Sequence, residues 1–318
     1  MGRKGELTEV GGDKDAIVAT LPAACASEAS AVAFFEDMRW DGEPWCPRCL
    51  STQVYAMTGR DGKRQIDHRW RCRGCKRQFT VRIGTVLEES RIPLRHWAYA
   101  FWRAATSKKG VSALEIKRHT GLTYKSALFL MHRIRWAMAP ESARPLDGTV
   151  EVDETYVGGK PRYRGTREHR GENRKIPVVA LVERGGEVRA RVVPNVTART
   201  VAGVIREHVD RSARLMTDES RIYWGVGPEY RGGHQTVNHG RHEYVRGDVT
   251  TNTVEGFFSL LKRGIYGTYH SVSEKHLHRY VSEFEFRHNW RKESDGTRTS
   301  IAIRSAEGKR LTYREAKP

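Results

Sequence analysis

No stretch of the sequence reaches the roughly 18 consecutive apolar residues that a membrane-spanning helix requires. The best early candidate, Ile17 to Ala26, is short and broken by Thr20 and Pro22. It follows the mixed charges of Asp13, Lys14 and Asp15, the wrong preface for a secretory signal, so a cytoplasmic protein is expected. Cysteine is scarce, five in 318 residues, which argues against a disulfide scaffold. Acidic residues are in deficit, 38 against 56 Lys plus Arg. The resulting formal charge of +18 excludes an acidic solvating protein and makes a polyanion, most simply nucleic acid, the leading partner. Apolar content is modest at 38%, yet eight Trp, twelve Tyr and nine Phe need a core and exclude wholesale disorder. The length allows two or three compact units.

Four of the five cysteines fall into two C-x-x-C pairs, Cys46-Pro-Arg-Cys49 and Cys72-Arg-Gly-Cys75, with 22 residues between. Each pair is a knuckle that holds two thiolates a tetrahedral edge apart, and four thiolates close one structural Zn²⁺ site with no position left for water. The intervening and following residues alternate as short strands (53–57, 68–71 and 77–81), the plan of a zinc ribbon. Cys25 stands outside the pattern and is expected from the sequence to be a buried free thiol. Basic residues crowd the module, among them Arg64, Arg69, Arg71, Arg73, Lys76, Arg77 and Arg82, opposed only by Asp61 and Asp67. A solvated basic face would look the same. Contact with DNA phosphates is the reading preferred here, with Trp70 interleaved as a packing or stacking surface.

From Pro93 to Met138 the pattern becomes helical. Trp97, Ala100, Phe101 and Ala104 form a stripe at intervals of three and four. Gly110 ends that helix, and Ser112 with Glu115 has the spacing of a capping box for the next. After a turn at 119–123, a third helix from Tyr124 to Met138 is expected to turn Lys125, His132, Arg133 and Arg135 outward. Helix, Gly-containing turn and helix is a helix-turn-helix layout that suits DNA, although a plain helical hairpin uses the same turn.

The second half changes character at Asp147-Gly148. Thr149 to Val157 alternates with period two, placing Glu151, Asp153 and Thr155 on one face. Ile176 to Val182 reads as a buried strand, Arg184 to Glu187 as a hairpin turn, and Val188 to Val193 as the returning strand. A helix from Ala198 capped by Thr197, a strand at 213–217 that delivers Asp218, a strand at 235–238 and a helix from Asn252 to Arg263 complete the order. This is the chain order of an RNase H-like mixed-sheet α/β domain. Asp153, Asp218 and Glu255, the last lying 37 positions beyond Asp218, would then converge. Asn252, Glu255, Ser259 and Lys262 share a helical stripe opposite Phe257, Leu260 and Leu261. Each acid alone has a bland reading, as a polar strand position or a helix cap. Together, three carboxylates in one pocket repel one another unless cations are present, and hard divalent ions favour such oxygen ligands. Two Mg²⁺ (or Mn²⁺) ions about 3.5–4 Å apart could activate an attacking oxygen and stabilise a leaving one in phosphodiester cleavage.

The run Val152 to Lys160, Thr217-Asp218, and above all Asn252-Thr-Val-Glu255-Gly-Phe-Phe-Ser-Leu-Leu-Lys262-Arg263 continuing to His270, resembles the bacterial insertion-sequence transposases that carry an N-terminal zinc ribbon and a DDE catalytic domain. The likeness includes the ribbon and covers roughly residues 30–290. It implies metal-dependent cleavage of transposon ends and transfer of their 3′-OH groups into target DNA. The acidic triad would fall on Asp153, Asp218 and Glu255 and the accompanying basic residue on Lys262. Some relatives carry Asn in the third position, which leaves Asn252 as the alternative. Where relatives often have His shortly before that Asn, this chain has Thr250 and Thr251.

The expected organisation is an N-terminal segment (1–29), a zinc ribbon (30–85), a helix-turn-helix-like region (90–140), an RNase H-like DDE domain (147–292) and a flexible tail (293–318). The basic run 160–175 reads as an insertion that touches DNA, and His276 to Trp290 as an amphipathic packing helix. Expected DNA contacts are Arg69, Arg71, Arg73, Lys76, Arg77, Lys125, Arg133, Lys160 and Arg263. The expected partner is double-stranded DNA, both transposon ends and target, bound by a homo-oligomer in the nucleoid, with no membrane involved. Two other readings stand beside the transposase: a structure-specific, resolvase-like nuclease and a non-catalytic zinc-ribbon regulator.

Overall fold

A computed structural model describes residues 16–140, 144–158 and 175–312 and divides the chain into two units. One runs up to Met138 and takes in the residues from Lys292 onward; the other is Ala139–Arg291.

In the first unit, α1 (Ala16–Ala26) and α2 (Glu28–Trp40) precede a three-stranded antiparallel ribbon of β1 (Val54–Ala56), β2 (Trp70–Cys72) and β3 (Gln78–Phe79). Ser27 caps α2 by accepting the Ser30 N–H. Three helices follow, α3 (Leu94–Thr106), α4 (Ala113–Thr120) and α5 (Tyr124–Met138). The stripe Trp97, Ala100, Phe101 and Ala104 is fully buried. Ser112 accepts the Glu115 N–H to start α4, and Gly121 (φ +71°) ends it in the left-handed conformation that glycine adopts without a Cβ clash. The ribbon and these helices, read as separate regions in the sequence, fall within one unit.

Two sequence expectations change here and a third narrows. The tail from residue 293 forms a helix, Asp295–Arg304, capped by Ser294 and packed on α3, with Ile301, Ala302 and Ile303 buried. Beyond it, Glu307 forks Arg39 at 2.5 and 2.8 Å. The outward basic face expected for α5 holds at its start, where Lys125 is exposed, and fails after one and a half turns. His132, Arg133 and Arg135 are buried, and the returning C-terminal residues meet this half of the helix: Arg133 donates to the Leu311 carbonyl at 3.0 Å and stacks on Phe129, and Lys309 donates to the Ala137 carbonyl at 2.8 Å. Of the two roles left open for Trp70, packing or stacking, its contacts within the unit are those of packing. Its ring meets Trp40 edge-on and its Nε1–H donates to Glu36 at 2.7 Å.

The second unit is a five-stranded mixed sheet in the order β6-β5-β4-β7-β8. Its strands are β4 (Thr149–Val157), β5 (Ile176–Glu183), β6 (Val188–Val192), β7 (Arg214–Thr217) and β8 (His234–Thr236). β4 to β6 are antiparallel neighbours; β7 runs parallel to β4, and β8 parallel to β7. The crossover helix α6 (Ala198–His208), capped by Thr197, covers one face through Val201 and Ile205 against Val150 and Val152. After a small hairpin of β9 (Val245–Arg246) and β10 (Val249–Thr250), α7 (Asn252–Gly264) and α8 (Glu274–Asn289) cover the other face. Phe257, Leu261 and Phe284 pack there on Val178, Ala180 and Val182. Full burial of Phe257 and Leu261 contributes about 1.5–3 kcal/mol each and fixes the roll of α7. Among the described residues no helix is long and apolar enough to cross a membrane.

Candidate active site and zinc centre

The two C-x-x-C knuckles share one backbone plan. Each first cysteine donates its N–H to the carbonyl five residues on, Cys46 to Ser51 and Cys72 to Arg77, and the residue after each second cysteine, Leu50 or Lys76, is left-handed at φ +61°. This brings all four Sγ atoms within 4.8 Å of one another. Four soft thiolates at that separation match a closed tetrahedral Zn²⁺ site. Cys25 is not part of the group. Around the ribbon Arg69, Arg71, Arg73, Lys76 and Arg77 are exposed. Arg64 instead forks Glu36, and Arg82 is held by Glu28 and the Ser90 and Ile92 carbonyls.

The sheet register brings two of the candidate acids together. β4 and β7 pair in parallel through Glu151 and Met216. β7 ends at Thr217, so Asp218 follows directly past the strand end, near enough to Asp153 for its charge to act on that carboxyl. Strand alternation turns Glu151, Asp153 and Thr155 toward α7 while Val150 and Val152 face α6. On α7, Phe257 and Leu261 bury the opposite face, so Asn252, Glu255 and Ser259 are exposed and Lys262 is half-buried. A cleft of ≈ 610 Å³ is lined by Asp153, Glu154 and Thr155 from β4, by His239 and Tyr244, and by Glu255, Phe258, Ser259, Lys262 and Arg263 from α7. Neither Asp218 nor Asn252 is among the residues lining it.

Charge in this cleft is crowded. Burial pushes the Asp153 carboxyl up to about 7, and the charges of Glu154, Asp218 and Glu255 add to the rise against an opposing hydrogen bond from the Glu154 N–H. Asp218 is also raised, chiefly by burial, with the Glu219 charge raising it and His239 lowering it. Glu154 is raised by burial and accepts a hydrogen bond from the buried Tyr223 hydroxyl, whose own pKa burial lifts well above the usual value. Glu255 accepts from the Thr251 hydroxyl at 3.0 Å. It thus reaches back to the side chain of the N-cap residue of its own helix. Among the described residues the four cysteines are the group of three or more His, Cys, Asp or Glu placed to hold an ion, and the three acids do not form such a group.

Sequence reasoning passed over His239, Glu154, Tyr223 and Tyr244. The His239 Nε2 lies 3.8 Å from Glu255 Oε1, and its ring packs on Tyr244 at 5.2 Å. Glu219 holds that loop by accepting the His239 and Gly240 N–H groups at 3.0 Å each. The one available signal was the polar turn Asn238-His239-Gly240 after a short strand, too common a pattern to stand out. Arg263 is exposed at the cleft, and Lys160 lies outside the described residues, as does most of the basic run 160–175.

Residues 145–289 match the ISXO2-like transposase domain and residues 26–78 the transposase zinc-ribbon domain. An uncharacterized protein in transposable element ISH50 of Halobacterium salinarum is 30% identical over 278 residues, covering 82% of this chain and 90% of that protein. With both domains in the right order and a relative aligned through nearly its whole length, the chain belongs to the insertion-sequence DDE transposases that carry a zinc ribbon ahead of the catalytic domain.

Proposed function

We propose that the protein binds the ends of its own insertion sequence, cleaves them by metal-dependent phosphodiester hydrolysis and joins the freed 3′-OH groups to target DNA. What supports this is that Asp153 and Glu255 line one cleft, that Asp218 follows the end of the strand parallel to β4, and that the charges of Asp218 and Glu255 both act on Asp153. The order of strands and the crossover helix agree with an RNase H-like catalytic domain. The donor set is all oxygen and partly buried, so bound cations would offset the burial and, after it, the like charges that raise Asp153. Asp153, Asp218 and Glu255 would hold Mg²⁺ or Mn²⁺, and when bound, such ions activate the attacking oxygen and stabilise the leaving one. Glu255 is the better third ligand because it is an anionic oxygen donor whose charge acts on Asp153, whereas the Asn252 amide carries none.

Lys262 and Arg263, at the far end of the same cleft, would grip phosphates flanking the scissile bond. The exposed arginines and lysine of the ribbon, with Lys125 at the start of α5, would hold the DNA backbone by charge. Arg133 leaves that set because it is buried. Cleavage at two ends would call for a homo-oligomer on DNA. The test is a linear donor carrying the element's terminal sequences, incubated with the protein, Mg²⁺ and a supercoiled target plasmid. End cleavage followed by covalent joining identifies a transposase. Cleavage with no joining would favour the nuclease reading, and binding with neither would favour the regulator.

A further inference from the structure

The first turn of α7 depends on another part of the sheet. Thr251, at the N-cap position, makes no side-chain cap to its own helix. Helix-start N–H groups still need acceptors, and a buried carboxylate on β4 supplies them. Glu151 Oε2 accepts the N–H groups of Thr253 at 2.7 Å and Val254 at 3.0 Å, and Oε1 accepts the Thr253 hydroxyl at 2.9 Å. Arg184, from the turn after β5, donates its Nε to the same Oε1 at 2.7 Å. Its remaining nitrogens go to the carbonyls of Asp248 at 2.6 Å and Thr250 at 3.0 Å, on the strand that leads into α7. Glu151 has no exposure at all, so its oxygens face these donors and not the cleft. It lies two residues before Asp153 on the same face of β4, and its contacts on α7 end one residue before Glu255.

We propose that Glu151, neutralised and braced by Arg184, is a positioning residue for the reaction: it locks the entry of α7 to β4 and so sets the spacing between Glu255 and Asp153. This rests on the functional reading of the three acids. A negative charge at a helix N-terminus is favourable in itself, and here one side chain joins the two elements that carry opposing ligands. A shift of about 1 Å at that junction would misplace Glu255 by a catalytically costly amount.

The discriminating variant is Glu151→Gln, which keeps the shape but has one acceptor oxygen and sets an amide NH₂ against donors. With Mn²⁺ and a supercoiled plasmid, the folded variant should nick with a kcat at least tenfold lower. Half-saturation should need at least threefold more Mn²⁺, while the KM for plasmid changes less than twofold. Without metal or DNA, amide exchange at Thr253 to Glu255 should quicken at least tenfold. A folded Glu151→Gln with wild-type kcat, Mn²⁺ midpoint and exchange overturns the proposal. If that variant does not fold, Thr253→Val removes the hydroxyl bond alone; two- to threefold changes in the same directions support the proposal, and none overturns it. Should the wild-type protein fail to nick at all, the functional reading fails by itself. The exchange comparison then still decides whether Glu151 holds α7.

Discussion

Replacing Ile303 with alanine tests whether the C-terminal residues are part of the first unit's core. Ile303 is 4% exposed in the helix Asp295–Arg304, which packs on α3. At that burial the loss combines the transfer free energy of the missing carbons with the cost of the cavity left behind, about 2–5 kcal/mol. A central figure of about 3 kcal/mol corresponds to a drop in Tm of about 6–12 °C for a unit of this size. Differential scanning calorimetry should show that fall in the transition of the unit containing the ribbon, while the transition of the sheet-containing unit stays within about 1 °C. A flexible tail would cost less than about 0.5 kcal/mol. A Tm unchanged within 1 °C would therefore refute the packing described for residues 295–304.

Three other outcomes follow from the same structure. Stripping zinc should unfold the ribbon, whose strands are three, three and two residues long, because structural zinc contributes about 10–16 kcal/mol of apparent binding free energy; the near-ultraviolet dichroism of the Trp40–Trp70 pair should be lost, and an unchanged spectrum would count against the site. Arg71→Ala or Arg77→Ala should each lower the salt slope of DNA binding by about one, with melting unaffected, whereas Arg133→Ala should lower stability because it breaks the buried bond to Leu311; a loss of DNA affinity by Arg133→Ala with unchanged melting would contradict its placement. Burial holds His288 down to about 4, against an ordinary 6.5, so between those values the unfolded chain binds a proton that the folded one refuses. The stability present above pH 6.5 is lost as pH falls toward 4, and His288→Gln should flatten the urea midpoint over that range relative to wild type. Identical pH profiles would rule the group out.

Much of the catalytic domain was legible because its signals are local and periodic. Alternation in 149–157 put Glu151, Asp153 and Thr155 on one side, and the three-four spacing after Asn252 separated Glu255 from Phe257 and Leu261, as the structure has them. The cysteine knuckles were equally plain, since metal geometry dictates their spacing. What escaped depends on contacts between segments distant in the chain. Nothing near Arg133 says that the Leu311 carbonyl will meet it. Ile301-Ala-Ile303 is too short an apolar run among polar neighbours to announce a buried helix. Glu151 reads as one more acid on an alternating strand until the uncapped start of α7, a hundred residues later, is laid beside it. His239 likewise becomes part of the site only when the loop held by Glu219 is folded over Glu255.

The central claim is that Asp153, Asp218 and Glu255 act together as a site for hard divalent cations. Its most direct measurement is Mn²⁺ binding to the zinc-loaded full-length protein, followed by electron paramagnetic resonance of the free ion, for wild type beside Asp153→Asn. Wild type should take up Mn²⁺ that Asp153→Asn does not, with zinc content and melting temperature of the first unit the same in both. Equal Mn²⁺ uptake by the two proteins would contradict the claim.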